Sequence, residues 1–310
     1  MKILVTGGAG FIGYTLVERL LDLNHEVIVI DKLYKGDTKL LFKRYKCKCY
    51  IGDICNKEFV EDIVNLERPE VIIHLAAVAG VRDSFKYPNK YIKTNIEGTL
   101  NILEVMRKLG VNKLIFASSS SVYGNCEAES FSESMTDLKP ISPYACTKLA
   151  GEQLIYAYTK AYNICAICLR FFTVYGPRQR KDLAIRKFTE AIVKGEPIEI
   201  YGDGTSLRDY TYVDDVVEGV IAAIGYNNSS YEIFNIGGGS PITLNEMVTT
   251  ISEEVGKKAV GHKLPMQIGD VNKTSADISK AKKLLNWGPK VTFKEGIRRF
   301  VDWLKFLTTS

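Results

Sequence analysis

Tyr144 and Lys148 stand four residues apart in Tyr-Ala-Cys-Thr-Lys, directly after Pro140-Ile-Ser-Pro143. On a helix that spacing places both side chains on one face. An ammonium near a phenol stabilises the phenolate and lowers its pKa, which suits Tyr144 as a general base toward a substrate hydroxyl. The serine run Ser118–Ser121 follows a β-branched segment, so one of its hydroxyls could donate to the same substrate oxygen. A third pattern, Gly7-Gly-Ala-Gly10-Phe-Ile-Gly13, lies between a strand-like run and a helix-like one. There the first glycines permit a tight turn close to a pyrophosphate, and Gly13 permits close helix–strand packing. The helix N-terminus adds unpaired N–H donors. Asp31 ends the second strand-like run, where a carboxylate accepts the 2′-hydroxyl of an adenosine ribose and repels a 2′-phosphate. NAD is therefore expected rather than NADP, with Lys32 beside the acid. Asp53, after a third short strand, could meet the adenine edge. Each pattern alone is common; the combination is specific.

These residues need a frame that brings them together. Lys2–Thr6, Glu26–Ile30, Glu70–His74 and Lys113–Ala117 are short apolar runs separated by helical patterns. Ile12, Leu16, Val17, Leu20 and Leu21 form one apolar helical face. Such alternation predicts an α/β fold, a doubly wound parallel sheet of Rossmann type. The ligand would then sit at the carboxyl ends of the strands. Further along, the patterns predict helices near 183–193, 214–224 and 244–255, strands at 198–201 and 232–236, and an amphipathic C-terminal helix from Phe293. Gly176-Pro-Arg-Gln-Arg180 reads as the crossing into a smaller α/β substrate lobe. The expected division is 1–176 for the NAD-binding domain, with segments near 211–237 returning to it, and 177–310 for most of the sugar-nucleotide lobe.

Composition narrows the classes. The 310 residues carry 41 Lys plus Arg against 36 Asp plus Glu, a balance of +5, which is too small to announce a nucleic-acid binder. The densest basic stretch, Lys39 to Lys48, reads as a solvated helix and turn. No run approaches the roughly 20 apolar residues of a membrane span, and glycines interrupt the N-terminal apolar run, so a cytoplasmic protein is expected. Seven cysteines, an odd number, argue for reduced thiols. Cys165-x-x-Cys168 lacks a second pair and reads as part of a buried strand. No metal site is expected.

The chain resembles the extended short-chain dehydrogenase/reductase family, specifically its nucleotide-sugar epimerases. The resemblance runs along nearly the whole chain, through Thr6–Gly13, His74-Leu-Ala-Ala77, Asn95-x-x-Gly98-Thr99, Ser118–Gly124 and Ser142-Pro-Tyr144-x-x-x-Lys148. It continues through Arg170-x-x-x-Val-Tyr-Gly-Pro177, Tyr201–Thr205, Arg208–Asp215 and Phe234–Gly237. The resemblance implies a catalytic set of Ser119, Tyr144 and Lys148. It implies NAD contacts from Gly7, Gly10, Phe11, Ile12, Gly13, Asp31, Lys32, Asp53, Ile54, Leu75, Ala76, Ala77, Asn95, Ser118, Tyr144 and Lys148. Asp53 and Ile54 would hold the adenine, and Ala76 and Ala77 would line the nicotinamide side. Dehydratases and decarboxylases of the family carry an acid just before Val-Tyr-Gly. Here Ser120 and Ser121 stand there, and no carboxylate follows until Glu127, which favours simple epimerisation.

Ala79-Gly-Val-Arg82-Asp-Ser84, Phe172–Ala184 and Pro265–Val271 look more like UDP-glucuronate 4-epimerases than UDP-glucose 4-epimerases. In that group Thr173 and Arg180 would meet the sugar carboxylate, whereas Lys181 departs from the usual proline. Arg82, Ser119, Ser120 and Ser121 are further substrate contacts, with Arg208 for the pyrophosphate and Asp270 for the uridine ribose. Arg178 is expected in the same basic group. The expected reaction is 4-epimerisation of a UDP-sugar through a 4-keto intermediate. UDP-glucose 4-epimerase, a net sugar-nucleotide dehydrogenase or reductase, and a non-catalytic NAD-binding module are the alternatives. A homodimer built on paired helices near 99–109 and 144–162 is also implied.

Overall fold

Successive residues of β1 (Lys2–Thr6) face opposite ways, yet both faces are apolar: Ile3 and Val5 enter one core and Leu4 another. A strand apolar on both faces has to be covered on both sides, the pattern of a buried parallel sheet. The computed structural model of the chain describes residues 1–32, 47–265 and 271–309. Around β1 stand β2 (Glu26–Asp31), β3 (Lys48–Ile51), β4 (Val71–His74), β5 (Lys113–Ser119), β6 (Cys165–Phe171) and β11 (Tyr231–Ile236). They form one seven-stranded sheet in the order β11-β6-β5-β4-β1-β2-β3, every pair parallel. The order turns back between β1 and β4, so the crevice of a doubly wound sheet opens past their carboxyl ends.

One face is covered by α1 (Phe11–Asp22) and α7 (Val213–Ile224), through Leu16, Val17, Leu20, Val216, Val217 and Val220. The other is covered by α2 (Lys57–Glu67), α4 (Gly98–Leu109) and α5 (Pro143–Ala161), through Val60, Ile102, Met106 and Ile155. A short helix, α3 (Val81–Lys86), lies between β4 and α4. Cys168 is buried in β6, and all seven cysteines are free thiols.

A third core gathers Tyr175, Ile185, Phe188, Met247, Ile251, Ile297 and Phe300. It joins α6 (Ala184–Lys194), α8 (Leu244–Val255) and α10 (Phe293–Thr309). Short strand pairs border it: β7 (Thr173–Tyr175) with β10 (Tyr210–Tyr212), β9 (Leu207–Arg208) with β12 (Ile242–Thr243), and β8 (Ile198–Tyr201) with β13 (Gly261–Leu264). Helix α9 (Ser279–Leu285) returns to β11. Of the basic stretch read as a solvated helix, only the end is described, and Lys48 lies in β3, paired with Glu67 at 2.9 Å. Among the described residues no helix is long and apolar enough to cross a membrane.

Candidate active site

Helix α5 starts where its sequence tells it to. The Ser142 hydroxyl accepts from the Ala145 N–H at 3.2 Å, and Pro143 takes the first helical position, where no N–H is needed. Tyr144 thus enters in the first turn, with Lys148 one turn along. Strand β5 ends opposite them. The Ser119 hydroxyl accepts from the Ser121 N–H at 3.2 Å and the Ser121 hydroxyl at 2.9 Å. The Ser119 hydroxyl also acts on the Tyr144 phenol, in the direction that favours the phenolate. Lys148 donates to the Ala117 carbonyl at 2.6 Å and lies 5.0 Å over the Phe116 ring. The fold therefore brings Ser119, Tyr144 and Lys148 to one place.

The electrostatics correct one expectation. Burial raises the Tyr144 pKa, and the Ser119 hydrogen bond and the Arg180 charge work against that rise without overcoming it. Lys148, expected to lower it, donates one of its three N–H groups to Ala117 and is not among the charges that shift the phenol. Burial also pulls Lys148 down to about 8, opposed by the negative charge of Glu152.

The glycine turn fits a dinucleotide. Gly7 has φ +74°, and a Cβ there would stand 2.7 Å from the Ala76 nitrogen; a Cβ on Gly13 would stand 2.1 Å from the Gly7 carbonyl oxygen. Without side chains at these positions, the turn after β1 packs on the segment after β4, and Phe11 and Ile12 open α1 behind Gly10. The Asp31 carboxylate accepts from the Ala9 N–H at 2.9 Å and so ties the end of β2 to that turn. Asp53 is ion-paired with Lys32 and accepts from the Cys55 N–H at 2.9 Å. Its burial is more than offset by these donors, which hold its carboxyl below the usual range.

Three of the expected cofactor contacts also brace the fold. The Ile54 side chain is buried against Gly98, and its carbonyl accepts from Asn101 at 3.1 Å. Asn95, also buried, bonds the Val78 N–H at 2.8 Å, the Val78 carbonyl at 3.0 Å and Thr147 at 3.0 Å. It therefore acts by fixing the end of the Leu75–Val78 segment against α5. Ser118 points its hydroxyl down to Glu152. Sequence reasoning missed the residues that these braces join. His74 is wholly buried, with Nδ1 2.7 Å from the Thr6 hydroxyl and Nε2 3.1 Å from that of Thr99. Thr99 spends its proton on the Asn95 carbonyl at 2.7 Å, so Nε2 carries the ring proton and Nδ1 accepts from Thr6. Burial, helped by the Lys148 charge, pushes the His74 pKa down to about 3 and keeps the ring neutral.

On the substrate side, Thr173 opens β7 opposite Tyr210. Arg180 grips Asp182 through two bonds of 3.0 and 2.7 Å, and its Nη2 would lie 3.7 Å from a Cβ on Gly80. Its charge reaches both Tyr91 and Tyr144. Arg82, exposed on α3, stacks 4.9 Å from the Tyr201 ring on β8. Arg208 donates to the Leu207 carbonyl at 2.9 Å and the Asn272 carbonyl at 3.4 Å. Ser120 and Ser121 form the helical turn directly after Ser119. Arg178 does not join this group: it lies 3.8 Å over the Tyr14 ring and pairs with Glu18 at 3.3 Å, both on α1. Asp270 lies outside the described residues. Among the described residues no cluster of three or more His, Cys, Asp or Glu could hold a metal ion.

Comparison with known proteins gives the same picture. The family model described as the NAD dependent epimerase/dehydratase family matches residues 3–237. The chain is 43% identical to a UDP-glucuronate 4-epimerase of Thermodesulfobacterium geofontis, over 97% of this chain and 95% of that one. A UDP-glucose 4-epimerase of Thermotoga maritima, solved with UDP-glucose, superposes with TM-score 0.94 at 38% identity, covering 99% of this chain and 100% of the other. A UDP-glucuronic acid 4-epimerase of Bacillus cereus, solved with UDP-glucuronic acid and NAD, gives TM-score 0.93 at 36% identity with the same coverage. With a glycine turn at the crevice of a doubly wound sheet and a tyrosine, lysine and serine converging beside it, the chain belongs to the NAD dependent epimerase/dehydratase family.

Proposed function

We propose that the chain is an NAD-dependent 4-epimerase of UDP-hexoses that prefers UDP-glucuronate, converting it to UDP-galacturonate. The observation that carries the acidic preference is Arg180. Its planar fork stands beside Gly80 and Tyr91 and projects its charge onto Tyr144, while Asp182 occupies it bidentately. A sugar carboxylate could take the place of one carboxylate partner with another of the same geometry; a C6 hydroxyl could not. The similarity to UDP-glucuronate 4-epimerases of two organisms supports this reading. A second reading, UDP-glucose 4-epimerase, has in its favour the fit to the Thermotoga enzyme.

In this mechanism Tyr144 takes the proton of the C4 hydroxyl while Ser119, its own acceptor capacity filled by Ser121, donates to the same oxygen. The Gly7–Gly13 turn and Asp31 would hold NAD, which when bound would supply a reversible hydride acceptor for C4. Lys148 would orient the nicotinamide ribose. The 4-keto sugar turns over between the two transfers, and Tyr144 returns the proton to the inverted centre. A 4-keto uronate is a β-keto acid prone to lose carbon dioxide. Thr173, Arg180, Ser120 and Ser121 would hold its carboxylate away from the geometry that favours loss. Arg208 and Asp270 are assigned to the diphosphate and the uridine ribose, and Arg82 to the cleft mouth. Residues 1–176 and 211–237 are read as the NAD-binding domain, and the remainder of 177–310 as the sugar-nucleotide lobe.

The test offers UDP-glucuronate and UDP-glucose separately and resolves the products by NMR. Arg180→Ala should cut kcat/KM for the uronate by roughly 100-fold, the scale of a charge-assisted bidentate contact, and leave the hexose rate within a few-fold. Equal losses on both would assign Arg180 to a contact that the two sugars share, the diphosphate or Tyr144, and not to the carboxylate. We further propose a cytoplasmic homodimer, since Leu100, Tyr156 and Tyr162 on α4 and at the end of α5 are 36%, 45% and 42% exposed.

A further inference from the structure

Glu152 lies one helical turn beyond Lys148 on α5, continuing the stripe of Tyr144 and Lys148, and it is wholly buried. A buried carboxylate is costly unless it is paired and hydrogen-bonded. Arg170 of β6, only 2% exposed itself, donates from Nε at 2.9 Å and from Nη2 at 2.7 Å, and Ser118 donates a third bond. The guanidinium stacks 4.8 Å from the Tyr123 ring, and its Nη1 has no hydrogen-bond partner among the described residues. As stability alone goes, apolar residues of similar volume would serve this core as well or better. The contacts of the pair suggest another use. Ser118 immediately precedes Ser119, and Ala117, one residue earlier, accepts from Lys148.

We propose that Glu152 is a positioning residue of the active site: its buried negative charge holds Lys148 as a cation, and its bond to Ser118 fixes the strand end that presents Ser119. The groups facing Lys148 are Glu152 on its own helix, Phe116 and Ala117 from β5, Cys168 from β6 and His74 from β4. Burial keeps the Cys168 thiol and the His74 ring neutral, so Glu152 supplies the anion. The groups facing Glu152 are Ser118, Arg170, Cys168 and Tyr231, whose hydroxyl donates to the Glu152 carbonyl at 3.3 Å. The role given to Lys148 rests on the epimerase reading; its coupling to Glu152 does not.

The test follows the lysine directly. In protein carrying lysine labelled with 13C at Cε, the Lys148 signal is assigned by its loss in Lys148→Arg and titrated by NMR. In Glu152→Gln its midpoint should fall by about one pH unit or more, and the alkaline limb of kcat should fall with it. Because that variant leaves the Arg170 charge uncompensated, Glu152→Gln/Arg170→Met, which removes both charges, is measured beside it and should show a fall of the same sign. A folded variant whose Lys148 midpoint stays at the wild-type value would overturn the proposal, leaving the pair a structural clasp. A wild-type protein inert toward UDP-sugars would instead remove the epimerase reading, and the lysine titration would still decide this proposal.

Discussion

Tyr144 is a phenol whose surroundings raise its pKa, so its reactivity as a base has to come from close partners. Ser119 supplies one, through a hydrogen bond that favours the phenolate, and Arg180 supplies positive charge. Tyr144→Phe should therefore lower kcat by at least about 100-fold, the usual worth of a positioned base, while purified protein keeps its NAD. A comparable loss of cofactor would mean the residue serves binding. Lys148 sets the other limit. With its folded pKa near 8, activity should fall as pH rises through that value and the ammonium is lost. At this scale the sequence was informative where spacing carries meaning, as for Tyr144 and Lys148 on one helical face. It was silent where the partner is a main-chain carbonyl, as Ala117 is for Lys148. Arg178 shows the same blindness: it stands two residues from Arg180, but its positive φ of 67° sends it to Glu18 on α1.

The elements were legible because strand and helix periods differ so clearly in this chain. Helix α8 and strands β1 and β8 run over the expected residues, and the apolar stripe of α1 faces the sheet. The braces between elements were not legible, because a buried Thr, Asn or His looks in sequence like any polar residue. Two outcomes follow at this scale. Gly13→Ala sets a methyl group 2.1 Å from a main-chain oxygen that cannot turn aside. It should cost about 1–3 kcal/mol of stability, as overpacking does, and abolish retention of NAD on gel filtration. The His74 brace should make stability depend on pH. Below about pH 6.5 the unfolded chain takes up a proton that the folded ring refuses until about pH 3. Stability should therefore fall with pH through that window, by up to ~1.4 kcal/mol per unit. Urea melts of wild type and His74→Asn across this range would read the difference as a change of slope.

For the whole molecule, the small net charge of +5 gave no partner, and the fold shows why: the cations that matter are few and locally placed. Arg180 stands near Tyr144, Arg208 beside Asn272, and Lys148 beneath the serine turn, whereas surface pairs such as Arg19 with Glu218 account for others. The proposed dimer predicts light scattering at twice the mass of one chain, and Leu100→Glu together with Tyr156→Glu should give a folded monomer. The central claim is that hydride leaves and returns to the same carbon with no net oxidation. It is tested most directly by following UDP-glucuronate by proton NMR in deuterated buffer, with purified protein and no added reductant. The account predicts an equilibrium mixture with UDP-galacturonate, C4 hydrogen retained and nicotinamide absorbance unchanged. Stoichiometric NADH accumulation or loss of the C4 hydrogen to solvent would contradict it.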